Sequence, residues 1–150
     1  MVLPTYESAM GQRVTVQVEA KNLNPNQLLE KLKVTGSGAI VSFTGLTRGE
    51  ENGVKVFSLD FDAWEEQLPR VLEDLASQSL DKFGVESVVI AHRIGNVGPE
   101  EPIVSIHVAS KHRKEAFQAC SWLIDSLKSQ APLWKKENRE DGTHWKEGLG

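Results

Sequence analysis

A chain of 150 residues with 39% hydrophobic and 25% charged side chains has the balance of an ordinary globular domain and can bury one self-sufficient core. Its net charge of -4 argues against general nucleic-acid binding, which needs a basic face over many phosphates. The lone cysteine, Cys120, excludes an internal disulfide and fits a reducing compartment. No segment approaches membrane-spanning length, and Met1 to Gln12 lacks the basic start and apolar run of a secretion signal. The expectation is a cytoplasmic protein that engages neither membrane nor nucleic acid.

Residues 1–12 carry no pattern and are expected to form a flexible N-terminus before a single domain over 13–150. Val14, Val16 and Val18 alternate with Thr15, Gln17 and Glu19, the mark of a half-buried strand. Asn24-Pro25 opens a short helix carrying Leu28, Leu29 and Leu32. Gly36-Ser37-Gly38 then breaks the chain before a strand from Ala39 to Thr44. This glycine pair lacks the Lys-Ser/Thr of a phosphate loop and reads as a turn. Leu46 to Gly53 is a polar loop in which Asn52-Gly53 favours a tight reversal, so Val54 to Phe61 pairs back as a hairpin. Its apolar phase slips between Val56 and Phe57, which predicts a bulge or a strand buried on both sides.

A second helix spans about 63–80, with Leu68, Val71, Leu72 and Leu75 inward and Pro69 in its first turns. Val85 to Ala91 is a nearly continuous apolar run, hence a central strand. His92-Arg93 ends it, and a turn over 95–100 leads to a strand from Pro102 to Ala109. There Val104, Ile106 and Val108 point inward, and His107 takes the other face in a solvated or hydrogen-bonded role. After a third helix, Leu133 to Glu137 and Thr143 to Lys146 join through Asp141-Gly142, a hairpin signal. The order of elements is that of an α+β domain with helices packed on a largely antiparallel sheet.

The third helix carries the densest signal. Within Ser110 to Glu137, residues Ala116, Phe117, Cys120, Leu123, Ile124 and Leu127 form an apolar stripe at helical spacing, and Ala131-Pro132 stops it. Cys120 in that stripe reads as a buried hydrophobe rather than a nucleophile. Ser110 is the expected N-cap. Between Lys111 and Lys136, the cations Lys111, Arg113, Lys114, Lys128, Lys135 and Lys136 face only Glu115 and Asp125. Cations at a helix N-terminus oppose the macrodipole by about 0.3–1 kcal/mol each, an arrangement that makes sense if a phosphate-like anion binds nearby. Lys128 lies on the flank of the stripe, so its ammonium should emerge at the rim of the core.

There is no Cys pair, no HExxH spacing and no G-x-S-x-G, so neither a metal centre nor a serine nucleophile is indicated. What remains is the cationic set Arg48, His112, Arg113, Lys128 and Lys135. Such a set binds phosphate and lowers the pKa of a neighbouring lysine toward the range useful for proton transfer. Arg113 and Lys128 lie about 22 Å apart along one helix. Either they serve different sites, or a second subunit brings its Arg113 to the Lys128 of the first.

Five pieces in order, Gly38 to Arg48, His92 to Gly95, Ser110 to Arg113, Leu127-Lys128 and Ala131 to Glu137, resemble the large catalytic subunit of molybdopterin synthase, the MoaE family. The resemblance spans roughly 14–145. It implies an α/β-hammerhead fold, a central homodimer, and a small ubiquitin-like sulfur-carrier subunit at each end of a heterotetramer. It further implies an enzyme with no cofactor of its own, which moves two sulfurs from the carrier's C-terminal glycine thiocarboxylate to cyclic pyranopterin monophosphate, forming the dithiolene of molybdopterin.

Carried over by position, Leu46, Thr47, Arg48, His112, Arg113, Lys128, Lys135, Lys136 and Glu137 fall on the family's substrate-binding positions. Arg48, His112 and Arg113 are then expected to anchor phosphate and pterin, the last two across the dimer. Lys128 and Lys135 are expected to transfer protons, and Phe43 to line the pocket. Two departures stand out. Glu100-Glu101 replaces the family's glycine and glutamate in the turn after Arg93, and the chain ends at Gly150 without the arginine that some members carry beyond the last hairpin. The competing expectation is a non-catalytic dimeric module that uses the same cations to hold an anionic metabolite or a partner's C-terminal tail.

Overall fold

Val14, Val16 and Val18 turn inward from β2 (Val14–Glu19) and are almost fully buried, as their alternation with polar residues requires. The computed structural model describes residues 6–10, by their backbone alone, and 13–146. Part of the expected flexible segment 1–12 therefore lies outside the described residues. Within it β1 (Tyr6–Met10) runs antiparallel to β2, a strand that the sequence pattern did not mark. The last four residues, Gly150 included, also lie outside the described residues.

β2 pairs in parallel with β6 (Ser87–Arg93). β6 pairs antiparallel with β8 (Pro102–Ser110), and β8 with β3 (Ala39–Leu46). The order β1-β2-β6-β8-β3 places β6 at the centre, where all of its residues are buried. Helices on both faces explain this. Leu72 and Leu75 of α2 (Gln67–Phe83) and Leu123 and Leu127 of α3 (Arg113–Gln130) share a core with Val88, Ile90, Ile106 and Val108. On the other face Leu28 of α1 (Pro25–Glu30) and Leu32 meet Val89, Ala91 and Ala109. Each fully buried leucine contributes roughly 1.5–3 kcal/mol. Asn24 caps α1 by accepting from the Gln27 amide at 3.2 Å, and Gly84 ends α2 at φ 68.

A second sheet, β10-β9-β5-β4, is antiparallel throughout. It consists of β10 (Gly142–Lys146), β9 (Leu133–Arg139), β5 (Val54–Ala63) and β4 (Glu50–Glu51), with β7 (Gly95–Val97) also paired to β5. The bulge expected in β5 is present: the register shifts between Val56 and Ser58. Phe57 is turned out at 57% exposure, while Val56, Leu59 and Phe61 stay buried. Asn52 and Gly53 both adopt positive φ, as the tight β4–β5 reversal demands.

Three expectations need correction. β5 continues to Ala63, which still pairs with Leu133, and α2 begins only at Gln67. Ser110 is not the N-cap of α3: it stays in the β8 ladder opposite Ala39, and the cap is His112, without a side-chain cap hydrogen bond. Phe117 is 61% exposed, because the inward row of α3 is Ala116, Ala119, Cys120, Leu123 and Leu127. His107 takes the hydrogen-bonded of its two expected roles: it is buried, with Ser42 Oγ at 2.7 Å from Nδ1 and Ser105 Oγ at 2.8 Å from Nε2. No described helix is long and apolar enough to cross a membrane.

Candidate active site

The β3–β8 register shifts between Gly45 and Leu46. A Cβ on Gly45 would meet Val104 Cγ1 at 2.6 Å, so glycine is what allows the two strands to approach there. Beyond the bulge, Leu46, Thr47 and Arg48 line a cavity of about 440 Å³. Phe43 reaches it from β3, Lys128 from the last turn of α3, and Lys135 and Glu137 from β9; Val56, Leu59, Ile103 and Ile124 supply apolar lining. The alternation of β9 puts Lys135 and Glu137 on one face and Lys136 on the other.

Lys136 accordingly leaves the cavity. Its Nζ lies 3.5 Å from Asp60 Oδ2 and 5.6 Å from the centroid of the Trp145 ring. His112 and Arg113 also stand apart, exposed at the start of α3, about 22 Å along the helix from Lys128. One chain therefore brings together Phe43, Leu46, Thr47, Arg48, Lys128, Lys135 and Glu137, but not the remaining positions carried over from the resemblance.

Thr47 is a strap for the loop that bears Arg48. It is buried, its amide donates to Glu101 O at 3.1 Å, and its carbonyl accepts from the Glu100 amide at 2.8 Å. Its hydroxyl donates to Gly98 O and accepts from the Glu101 amide. Arg93 holds the same turn from the β6 side, through a salt bridge to Glu101 and a hydrogen bond of 2.9 Å to Asn96 O. Glu100 adopts φ 64, the left-handed region that favours glycine.

Two residues absent from the sequence reading complete the charge distribution. Glu51 of β4 lines the cavity, and Lys146 of β10 places Nζ 3.2 Å from Glu137 Oε1 and 3.8 Å from Glu51 Oε1. Glu137 is buried, and beyond the ion pair with Lys146 neither of its oxygens has a well-formed hydrogen bond. A side-chain hydrogen bond with Glu137 is the main cause holding the Glu51 carboxyl below the usual range, opposed by burial and helped by Lys146, Arg48 and Lys135. Lys135 is pushed below the ordinary lysine value, chiefly by burial; Glu137 and Glu51 oppose that shift, and the charges of Lys146 and Arg48 reinforce it. A desolvated lysine beside other cations is suited to give and take protons. Cys120 is elsewhere, in the helix–sheet core, its thiol pushed up to about 11 by burial.

The family model described as MoaE protein matches residues 18–130. The chain is 36% identical over 127 residues to the molybdopterin synthase catalytic subunit of Thermoplasma volcanium, covering 85% of this chain and 93% of that one. It is 34% identical to the protein of the same description from Pyrococcus abyssi, over 93% of this chain and 95% of the relative. Among solved structures, molybdopterin synthase from Staphylococcus aureus superposes with a TM-score of 0.82 at 32% identity, over 87% of this chain and 95% of that chain. A chain from the complex of subunits 1 and 2 of molybdopterin-converting factor of Helicobacter pylori matches with a TM-score of 0.73 at 25% identity, over 88% and 90% of the two chains. On this breadth of sequence and fold, the chain belongs to the MoaE protein family of molybdopterin synthase catalytic subunits, which act in molybdenum-cofactor biosynthesis.

Proposed function

We propose that this protein is a sulfurtransferase. It takes sulfur from the C-terminal thiocarboxylate of a small ubiquitin-like carrier subunit and places it on cyclic pyranopterin monophosphate, forming the dithiolene of molybdopterin. The observation that carries this reading is the convergence of Lys128, Lys135 and Arg48 on one cavity. Arg48 anchors the phosphate by its fork of donors, and Lys128 and Lys135 move protons as sulfur adds and the cyclic phosphate opens. Hydrolysis of the carrier's acyl–sulfur bond leaves sulfur on the substrate and returns the carrier as a carboxylate. No thiol of this chain is needed, in keeping with the buried Cys120.

The protein works in the cytoplasm as a homodimer, with one carrier at each end. Separation of His112 and Arg113 from the cavity supports the dimer, because a second copy can supply the pair to a site that lacks it. Glu137 and Thr47 then act by shaping the pocket, and Leu46 and Phe43 by apolar contact with the pterin or the carrier's tail. The alternative, a binding module without turnover, uses the same cations but has no use for a lysine held below its ordinary pKa. The deciding assay follows dithiolene product from thiocarboxylated carrier and cyclic substrate, with and without this protein. Product that forms only in its presence is expected; binding of both partners without product favours the module.

A further inference from the structure

Lys146 and Lys135 stand directly opposite each other in the β9–β10 ladder, and like charges so placed repel. Two carboxylates share their surroundings, Glu137 from β9 and Glu51 from β4. Both ion pairs go to Lys146, at 3.2 Å and 3.8 Å. Among the described residues Lys135 has no carboxylate oxygen within 4.0 Å of its Nζ. Two ammonium groups therefore compete for one pair of acids, and Lys146 holds them.

We propose that Lys146 is a positioning residue of the active site: by bridging Glu137 and Glu51 it ties the Arg48 loop to the β9–β10 hairpin and keeps both acids from capturing Lys135. The inference rests on the proton-transfer role proposed for Lys135. The charged groups around that amine are Glu137 on its own strand, Lys146 on β10, Glu51 on β4, Arg48 after β3 and Lys128 on α3. Without Lys146, a positive neighbour is lost and the two acids are left to pair with Lys135. Its ammonium form is then favoured, and the free amine becomes less available.

The test uses the full chain with ε-carbon-labelled lysine, following the Lys135 titration by NMR and assigning its signal by loss in Lys135→Arg. In Lys146→Gln the titration moves to higher pH, and dithiolene formation at neutral pH falls about tenfold and recovers as pH is raised. Lys146→Arg keeps both near wild type, and adding Glu51→Gln to Lys146→Gln brings the titration part of the way back. An unmoved Lys135 titration in folded Lys146→Gln protein overturns the proposal. Should that variant fail to fold, Lys146→Met is read in the same way: a Lys135 titration at higher pH supports the clamp, and an unmoved one overturns it. A titration that moves while sulfur transfer is unchanged supports the clamp and removes Lys135 from the proton step, so the two readings fail separately.

Discussion

Lys128 and Lys135 lie on opposite sides of Pro132 in the chain and on two walls of one cavity in space. Ala131 leaves α3 with φ -66 and ψ 133, the extended conformation that a following proline imposes. The chain then turns back as β9, and strand alternation brings Lys135 inward. A helix stop thus becomes the device that places a second lysine beside the first.

The turn after β7 offers a test that does not depend on catalysis. Glu100 holds φ 64, which costs a non-glycine residue about 1–2 kcal/mol, whereas glycine there loses about 0.5–1 kcal/mol through its freer unfolded chain. Glu100→Gly should therefore stabilise the fold by about 0.5–1 kcal/mol, read as a higher urea midpoint at constant slope. Glu100→Val should move the midpoint the other way, since a β-branched residue fits this region poorly. The same midpoint for all three proteins would show that the turn relaxes out of this conformation.

Acid stability should depend on His92. Burial lowers its pKa from 6.5 to about 4, with the Arg93 carbonyl pulling weakly the other way. As pH falls from 6.5 toward 4, the unfolded chain takes up a proton that the native state refuses, so stability is lost across that window. The loss amounts to about 3 kcal/mol at 1.36 kcal/mol per unit. His92→Gln should flatten the stability-versus-pH curve there, whatever it does to stability at neutral pH. Urea melts at several pH values check this, and an unchanged slope would contradict it.

The proposal of a site shared across a homodimer makes a prediction about mixtures. Arg113→Ala subunits lack the donated anchor and Lys128→Ala subunits lack the proton carrier, so each homodimer should be impaired. A mixed dimer contains one cavity with both groups intact, and activity should recover to about a quarter to a half of wild type when the two proteins are refolded together. No recovery in confirmed heterodimers would mean that Arg113 and Lys128 serve separate sites.

The parts of the fold that repeat locally were legible from residues alone. Alternating valines gave β2, the Val56–Phe57 phase slip gave the bulge in β5, and the apolar stripe gave α3 with its stop at Pro132. Features that depend on distant partners were not. Ser110 resembles an N-cap until its pairing with Ala39 keeps it in β8, and the bonds that tie Thr47 to Gly98, Glu100 and Glu101 come from a turn distant in the chain. Glu51 and Lys146 carried no pattern of their own, because only the registers of β4, β9 and β10 bring their charges beside Lys135. Lys136 shows the converse, since its membership of a basic run conceals that strand alternation turns it away.

Lys128 is exposed in the last turn of α3, so replacing it should leave the fold within about 0.5 kcal/mol of wild type. The most direct measurement is therefore the rate of dithiolene formation from thiocarboxylated carrier and cyclic pyranopterin monophosphate with Lys128→Ala and Lys135→Ala, each confirmed folded. The account predicts a fall of about 10²–10⁴ in kcat for each. Turnover equal to wild type in both variants would contradict it.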